Sequence, residues 1–365
     1  MAKVSFNNKN NVFYSTLKKE VEYYFSSNKK KKTGDWRLYL KTVVLIPAAL
    51  VIYFSVLYFS LPVAVLIGLS GLLGFILASI GFNIMHDACH GSYSRRKWVN
   101  NLFGLTMNAL GSNAFIWKQK HNIIHHTYTN VDGLDDDIAK SPVIRQCQTQ
   151  KWLPMHRVQH LYLPIVYSIS SIAWTLLTDF MKYFSRKVTG TDLQKMNTGE
   201  HIIFWASKIL CLFFYVALPI FIKGASIWLL FYFSMHIVFG LTLSIVFQLA
   251  HVVEHTEFET VEEDPKLIET EWAVHQLKTT SNFAMRNKFI SWFVGGLNFQ
   301  VEHHLFPRIS HIHYPALSKI VKKVCEQYQM PYHYFPTMTQ AVASHFRFMK
   351  QLGRKPVAIP VPVNG

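Results

Sequence analysis

Residues 43–82 read VVLIPAALVIYFSVLYFSLPVAVLIGLSGLLGFILASIGF and contain no Asp, Glu, Lys, Arg or His. A bilayer core about 30 Å thick needs about 20 helical residues. A charge-free stretch of this length therefore predicts two membrane-spanning helices in succession. Ser60, Leu61 and Pro62 mark the turn between them. The stretch thus predicts a transmembrane hairpin.

A second apolar hairpin follows later in the chain. Residues 202–222 and 226–250 are both long enough to span, and only Lys223, Gly224 and Ala225 separate them. The chain is 50% hydrophobic and 16% charged, whereas an average protein is about 25% charged. Four spans with two short connections place both termini and both long polar segments on one side of the membrane.

The distribution of positive charge indicates which side that is. Lys and Arg number 37 against 21 Asp and Glu, a formal net charge of +16. All but Lys208 and Lys223 lie outside the spans and their short turns, so the positive-inside rule makes the long segments cytoplasmic. The consecutive lysines 29–32 suit anionic lipid beside a membrane, and nucleic-acid binding is not expected. Lys208, inside the third span, is expected to extend to the cytoplasmic surface.

The predicted fold is an all-α membrane protein, with four transmembrane helices in two hairpins and a helical cytoplasmic cap. Residues 98–117 are too polar for a span, and residues 161–177 predict an amphipathic or interfacial helix. The predicted segments are a basic cytoplasmic N-terminal segment (1–42), hairpin 1 (43–82), a cytoplasmic or interfacial segment (83–201), hairpin 2 (202–250), a cytoplasmic segment (251–353) and an irregular tail (354–365).

Histidines cluster at four places in the long polar segments. Residues four apart lie on one face of a helix, with Cβ atoms about 5–6 Å apart, so each His-x-x-x-His pair can direct two imidazoles at one metal ion. The clusters are His86 with His90, His121 with His125 and His126, His251 with His255, and Gln300 with His303 and His304. Each lies on the predicted cytoplasmic side, so their convergence is geometrically easy.

The ligand types restrict the metal. Eight or nine imidazoles are too many for one ion, and imidazole suits zinc, copper, iron and nickel. The clusters lack the Cys pairs of structural zinc, and Asp87, Asn122 and Val252 stand where a zinc protease motif has Glu. The Glu-x-x-His pairs of soluble di-iron bundles are missing as well. A histidine-rich di-iron centre at a membrane face remains.

Three boxes with this spacing around two hairpins, His-x-x-x-His, His-x-x-x-His-His and Gln-x-x-His-His, resemble the integral-membrane fatty acid desaturase family. The similarity runs from about Trp36 to about Phe346. Gln300 at the start of the third box resembles the front-end branch, which desaturates between an existing double bond and the carboxyl end. The motifs around the boxes that also resemble it are Gly296–Phe299, Leu305–Pro307 and His126–Asn130.

The resemblance implies a set of site residues. The iron ligands it implies are His86, His90, His121, His125, His126, His303 and His304, with His251 at the exit of the fourth span. His255 is the alternative to His251, and Gln300 is expected to act through water or by hydrogen bonding. Asp87, Glu254 and Glu302 are candidates to accept the second ring N–H of a ligand. Asp135, Asp136 and Asp137 resemble an acidic loop of the family, and a solvated turn explains them equally well.

The activity implied by the resemblance is O2-dependent desaturation of an acyl chain carried by a lipid or by CoA, with two iron ions as cofactor. No His-Pro-Gly-Gly haem motif occurs in the chain, so electrons are expected from a separate ferredoxin or cytochrome b5. A membrane hydroxylase with the same metal centre is the nearer alternative. A metal transporter is the alternative from another class, but its ligands belong near the bilayer midplane, where only His236 and Lys208 lie.

Overall fold

Long apolar helices in two hairpins organise the chain in the computed structural model, which describes residues 4–9, 11–139, 142–260 and 266–356. The α-helices are Val12–Ser27 (α1), Trp36–Tyr58 (α2), Val63–Ile80 (α3), His86–His90 (α4), Lys97–Gly104 (α5), Thr106–Ala109 (α6), Ala114–Lys118 (α7), Gln159–Ala173 (α8), Asp179–Ser185 (α9), Thr198–Leu212 (α10), Leu218–Lys223 (α11), Ala225–His251 (α12), Trp272–Thr279 (α13), Lys288–Phe293 (α14), Gln300–Leu305 (α15), Tyr314–Gln327 (α16) and Met338–Leu352 (α17). Four π-helical segments, Gly81–Met85, Gln119–His125, Trp174–Thr178 and Phe213–Ala217, and two 3-10 turns, Pro154–Val158 and His311–His313, join some of them.

Short two-stranded ladders connect segments that are far apart in sequence. Three are parallel: Val4–Phe6 (β1) with Lys266–Ile268 (β6), Val131–Asp132 (β2) with Glu259–Thr260 (β5), and Asn282–Phe283 (β7) with Tyr334–Phe335 (β8). Lys187–Val188 (β3) and Thr191–Asp192 (β4) form a local antiparallel pair. The ladders β1–β6 and β2–β5 therefore join polar segments that precede and follow the second hairpin, and β7–β8 joins two segments that follow it.

Five helices are long and apolar enough to cross a membrane. Four of them, residues 36–58, 63–90, 198–223 and 225–251, contain the four predicted spans. The fifth, residues 154–185, contains the predicted interfacial helix and has the lowest mean hydropathy of the five, 1.4. The structure thus has one more candidate span than the sequence predicts.

Both ends of this fifth helix bond to the same loop. At its beginning, Gln159 and Arg145 exchange two hydrogen bonds of 2.8 and 3.0 Å. Near its end, the Lys182 ammonium donates to Asp136 at 2.6 Å. Between these points Ser171 contacts His236 in the middle of α12. The middle of the fifth helix therefore packs against the bundle. Its two ends bond to Asp136 and Arg145, which are nine positions apart in the sequence.

Helices α3 and α12 approach closely because a glycine faces the contact. A Cβ at Gly74 would lie 2.2 Å from the carbonyl oxygen of Met235. Leu73, Leu77 and Phe239 fill the interface on either side and are buried. This contact brings the ends of the two helices together, which positions His86 near His251.

Helix α1 packs on α16 through one apolar face. Its buried residues recur every fourth position, which is one helical face, and they are Phe13, Leu17, Val21 and Phe25. Leu317 and Val321 of α16 are fully buried in the same cluster. The predicted basic segment 1–42 therefore contains an amphipathic helix before the lysine run.

The expectation that Lys208 extends to the surface is wrong. Its side chain is buried, and the ammonium donates to Asp179 at 2.9 Å and to the carbonyl oxygens of Gly111 and Thr175. A buried anionic partner can stabilise a cation inside a span, so the side chain need not reach water. Asp179 of α9 is that partner.

Two other predicted segments can be compared directly. Residues 98–117, which are too polar for a span, form the short helices α5, α6 and α7 with turns between them. Of the predicted irregular tail, residues 357–365 lie outside the described part of the chain.

Candidate metal centre

The first histidine pair lies where α3 continues into α4 through the π-helical segment Gly81–Met85. His86 and His90 are both buried, and their ring centroids are 4.6 Å apart. Gly91, with φ of 74°, follows immediately and ends the helix in the left-handed conformation that favours glycine. The pair therefore occupies the last turn of a long apolar helix.

The second box lies on a π-helix, Gln119–His125, rather than on a regular α-helix. The His126 N–H donates to the His121 carbonyl five residues earlier, at 3.1 Å. This geometry places the Nε2 atoms of His121 and His126 3.3 Å apart. Single-turn π segments are rare and frequently occur at functional sites. The π-helix thus directs the histidine at each end of the box to one side.

The remaining histidines come from the end of α12 and from α15. His251 is the last residue of α12, and His303 and His304 lie in α15. Gly296, before α15, has φ of 67°, and a Cβ there would lie 2.8 Å from the Cβ of His311. A glycine is therefore required for the third box to pack this closely.

The eight histidines that the resemblance implies as ligands converge. Four of them, which we call cluster A, place one ring nitrogen each within 4.8 Å of one another: His86, His90, His121 and His303. Cluster B, formed in the same way, is His125, His251 and His304. One ring nitrogen each of His126, His303 and His304 also lie within 4.8 Å of one another. Because His303 belongs to cluster A and His304 to cluster B, His126 bridges the two clusters.

Most of these nitrogens have no hydrogen-bond partner. The buried Nε2 atoms without a partner within the described residues include those of His86, His90, His251, His303 and His304. A buried polar atom left unpaired costs about 1–3 kcal/mol, so unpaired nitrogens gathered within 4.8 Å of one another in each cluster indicate a binding site. A metal ion that accepts imidazole donors fits this requirement.

The electrostatics keep most of the rings neutral. Burial, together with the neighbouring imidazoles, holds the pKa of His121, His126 and His303 well below the usual value, and the same holds for the pKa of His304. Neutral imidazole is the form that binds metal. For His125, burial lowers the pKa, but the Asp135 carboxylate more than offsets it and raises the pKa above the usual value.

The second ring nitrogen of several histidines has its own partner. Nδ1 of His125 lies 3.0 Å from Asp135, and Nδ1 of His303 lies 3.0 Å from the Tyr314 hydroxyl. Nδ1 of His304 lies 2.8 Å from Oε1 of Gln276, and Nδ1 of His251 lies 3.2 Å from the Thr279 carbonyl oxygen. Such partners orient a ligand ring and fix its tautomer.

His255 and Gln300 differ in their positions. His255 is exposed, has φ of 84°, and stacks on His333 with ring centroids 6.1 Å apart. Gln300 is buried at the start of α15, and its Nε2 has no partner within the described residues. The structure thus brings His251, and not His255, into the clusters, and leaves the Gln300 amide inside the protein.

The three carboxylates proposed as partners of the ligand rings bond elsewhere. Asp87 accepts from Ser310 at 2.6 Å, and Glu254 accepts from Arg347 at 2.7 Å on the surface. Glu302 accepts from Asn282 and Tyr332, and its burial raises its pKa to about 7. Asp87 and Glu302 therefore hold neighbouring segments of the third box in place.

Sequence reasoning did not identify Gln276, Tyr314 and Thr279 as partners of the histidines. Their residue types are common, and each lies 11 to 28 positions from the ring it contacts. Asp135 carried a signal, because it begins the three consecutive aspartates after Gly133. Of the two readings of that loop, the structure shows a buried carboxylate on His125 rather than a solvated one.

An apolar cavity adjoins cluster A. Met85, Trp117 and Phe247 line it. Trp117 stacks on His121 with centroids 4.4 Å apart, and Phe247 lies 6.3 Å from the same ring. The cavity therefore lies directly beside the His121 ring of cluster A, at the end of the bundle.

Comparison with known proteins agrees with this site. The sequence model of the family described as fatty acid desaturase matches residues 59–336. The chain belongs to the fatty acid desaturase family. Its enzymatic class is therefore that of an oxidoreductase acting on fatty acyl chains.

Several desaturases are similar over most of this chain. An acyl-lipid (8-3)-desaturase of Physcomitrium patens is 34% identical over 94% of the chain and 72% of that protein. An sn-1 linoleoyl-lipid 6-desaturase of Synechocystis sp. is 33% identical over 94% of the chain and 96% of that protein. An enzyme of the same name from Arthrospira platensis is 34% identical, over 94% and 93% respectively. This desaturase thus resembles proteins named for acyl-lipid substrates.

Proposed function

We propose that this protein is a front-end desaturase of the acyl chains of membrane lipids. Three similar proteins carry names that specify an acyl-lipid or a linoleoyl-lipid substrate. An acyl chain on a membrane lipid reaches an apolar bundle without leaving the bilayer, and the cavity beside cluster A lies within that bundle. We therefore favour a lipid-linked chain over acyl-CoA as the substrate.

One observation carries the proposal. Eight histidines from four separate segments direct their nitrogens at two neighbouring points, and an apolar cavity begins beside the same rings. A metal site with an aqueous substrate has no need of such a cavity. Together they suit a metal-dependent reaction on a hydrocarbon chain.

The two clusters suggest how the ligands divide. Cluster A would hold one iron ion and cluster B the second, and His126 lies between the two clusters. Two iron ions there would supply the O2 activation that removal of hydrogen from an unactivated methylene pair requires. The chain's own residues orient the ligand rings through Asp135, Gln276 and Tyr314.

The proposed topology has four spans, with segments 1–42, 83–201 and 251–353 on the cytoplasmic side. Lys and Arg are concentrated in those segments. The contacts of Gln159 and Lys182 with the loop 136–145 support an interfacial position for the fifth helix. The described residues there include Asp136, Asp137 and Arg145, which lie outside the helices, and polar irregular backbone does not cross a bilayer exposed to lipid. Both ends of the fifth helix therefore belong on one side.

Electrons come from a separate protein in this proposal. The chain carries a formal net charge of +16, and in the proposed topology the basic segments lie on the side of the metal centre. Complementary charge accelerates the encounter between protein partners. A small acidic donor, a ferredoxin or a cytochrome b5, suits that surface.

The alternatives remain distinguishable. A hydroxylase has the same metal centre and differs in its product, so product analysis separates the two. A transporter needs unpaired ligands near the midplane, whereas His236 contacts Ser171 at 2.9 Å and Lys208 contacts Asp179 at 2.9 Å. The two ionisable groups there are already paired with protein.

The decisive experiment is a fatty acid profile with double-bond localisation in host cells that express the protein and receive mono- and di-unsaturated acids. The control is His303→Ala with His304→Ala. We expect a new double bond on the carboxyl side of an existing one, absent from the control. Lipid classes separated before analysis should show the product first in complex lipid.

Three results would change the proposal. A hydroxylated product would assign the hydroxylase reaction. A product that appears first in acyl-CoA would replace the lipid substrate by the CoA ester. No product after both a ferredoxin and a cytochrome b5 system are supplied would overturn the desaturase function in this host.

A further inference from the structure

A second and larger apolar cavity lies deeper in the bundle. Its volume is about 210 Å³, against about 20 Å³ for the cavity beside cluster A. Met235, Tyr232 and Tyr215 line it. At a rise of about 1.5 Å per residue, Tyr232 lies about 28 Å along α12 from His251. The two cavities together cover most of the length of that helix.

The two cavities meet at shared side chains. Leu110 and Phe239 line both of them. Gly81 lines the cavity beside cluster A and faces this junction, since a Cβ on it would lie 3.4 Å from Cδ1 of Leu110 and 3.9 Å from Cδ2 of Leu243. We call Gly81, Leu110 and Phe239 the neck.

The Lys208 and His236 side chains in the wall of the deeper cavity are already paired. The Lys208 ammonium donates to Gly111, Thr175 and Asp179, and the His236 ring contacts Ser171. A paired polar group offers little to a polar ligand, whereas the other lining side chains are mostly apolar or aromatic. The deeper cavity is therefore suited to hydrocarbon.

We propose that the neck of Gly81, Leu110 and Phe239 sets which acyl chains this enzyme accepts, by limiting the methyl-side segment that passes into the deeper cavity. The proposal rests on the proposed function. When the reacting carbons lie at cluster A, the carbons on their methyl side first fill the small cavity beside that cluster. A chain with more carbons than this cavity can hold must extend past the neck into the deeper cavity. The absent side chain of Gly81 leaves the width that this passage needs.

The geometry at Gly81 provides a test that leaves the fold intact. A methyl group at Gly81 makes only ordinary contacts with Leu110 and Leu243, so Gly81→Ala narrows the neck without a clash. Gly68 of the same helix has no atom within 4 Å of an added Cβ. Gly68→Ala is therefore the matched control for the effect of alanine on helix α3.

The experiment feeds cells a series of unsaturated acids that differ only in the number of carbons on the methyl side of the reacting position. One added methyl group in the neck leaves less room for the hydrocarbon chain that passes it. We expect Gly81→Ala to lower conversion of the longest chains relative to the shortest by about tenfold. Gly68→Ala should keep the parental ratio, and Leu110→Ala should shift the ratio towards the longest chains.

The result that overturns the proposal is a ratio of long to short products that is the same in Gly81→Ala, Gly68→Ala and the parent. If the Gly81→Ala protein does not accumulate in the cells, the Leu110→Ala variant provides the test instead. A ratio of long to short products in Leu110→Ala that equals the parental ratio overturns the proposal. Loss of all product in the parent would count against the proposed function instead, so the two failures are distinguishable.

Discussion

The carboxylate of Asp135 lies 3.0 Å from Nδ1 of His125, and both side chains are almost fully buried. The same carboxylate accepts the backbone N–H of Asn130 at 2.9 Å. A carboxylate on the second nitrogen of a ligand histidine fixes the ring and makes it a stronger donor. Asp135 therefore orients one histidine of the proposed metal centre and touches no other histidine ring of the clusters among the described contacts.

Replacing Asp135 by Asn should weaken metal binding at cluster B. The amide removes the charge that orients His125, and loss of such a partner typically costs about 10–100-fold in metal affinity. Iron per purified chain and product formation measure the effect. Asp192→Asn, the same change at an exposed carboxylate, is the control; equal iron content in the two variants would contradict the role of Asp135.

Substitutions of Gln276 test the hydrogen bond that orients the His304 ring. Its Oε1 accepts from His304 and from Thr129, at 2.8 and 2.9 Å. Gln276→Leu removes the nearer acceptor of the His304 ring N–H and leaves only the Thr129 hydroxyl at 3.2 Å, and should lower iron content and turnover. Gln276→Glu retains an acceptor oxygen and should restore much of both. If Leu and Glu behave alike, the hydrogen bond is not the reason for the effect.

His251 and His255 should respond very differently to alanine. His251 is buried in cluster B with an unpartnered Nε2, whereas His255 is exposed. His251→Ala should reduce turnover to background while the protein still inserts into membranes. His255→Ala should stay within about twofold of the parent, as is usual for surface substitutions. The reverse order of activities would exclude His251 as a ligand.

The buried pair of Lys208 and Asp179 should matter for stability more than for chemistry. Asp179→Asn leaves the ammonium of Lys208 buried without its counter-charge, and breaking such pairs costs about 3–5 kcal/mol. Thermal unfolding in detergent should therefore occur at a lower temperature in this variant. Asp179→Asn with Lys208→Met removes the stranded charge and should recover part of the loss. A double variant less stable than the single one would contradict this explanation.

The sequence allowed the spans and the histidine boxes to be predicted because both are local patterns. The charge-free residues 43–82 and the turn at Pro62 correspond to α2 and α3. The partner of Lys208 was not predictable, because Asp179 lies 29 residues away on another helix. The same holds for Gln276 and Tyr314, whose residue types do not distinguish a partner of a ligand from any other buried polar residue.

The geometry of the second box shows a different limit. The His-x-x-x-His-His pattern predicts a helix and a shared face, and both are present. The shift from α- to π-hydrogen bonding at residues 119–125 depends on how the segment packs against the rest of the site, so no local pattern revealed it. The boxes gave the ligand candidates, and tertiary packing gave their mutual distances.

Helix α1 has its packing partner near the other end of the chain. Thr16 of α1 and Tyr328 beside α16 are bonded across 312 residues, and β1 pairs with β6 over a similar distance. During synthesis, α1 must therefore wait until both hairpins and the third box have been made. All the histidines of clusters A and B lie at or before residue 304, so they have been synthesised before Tyr328. The contact between α1 and the α16 region is therefore completed only after every ligand candidate is present in the chain.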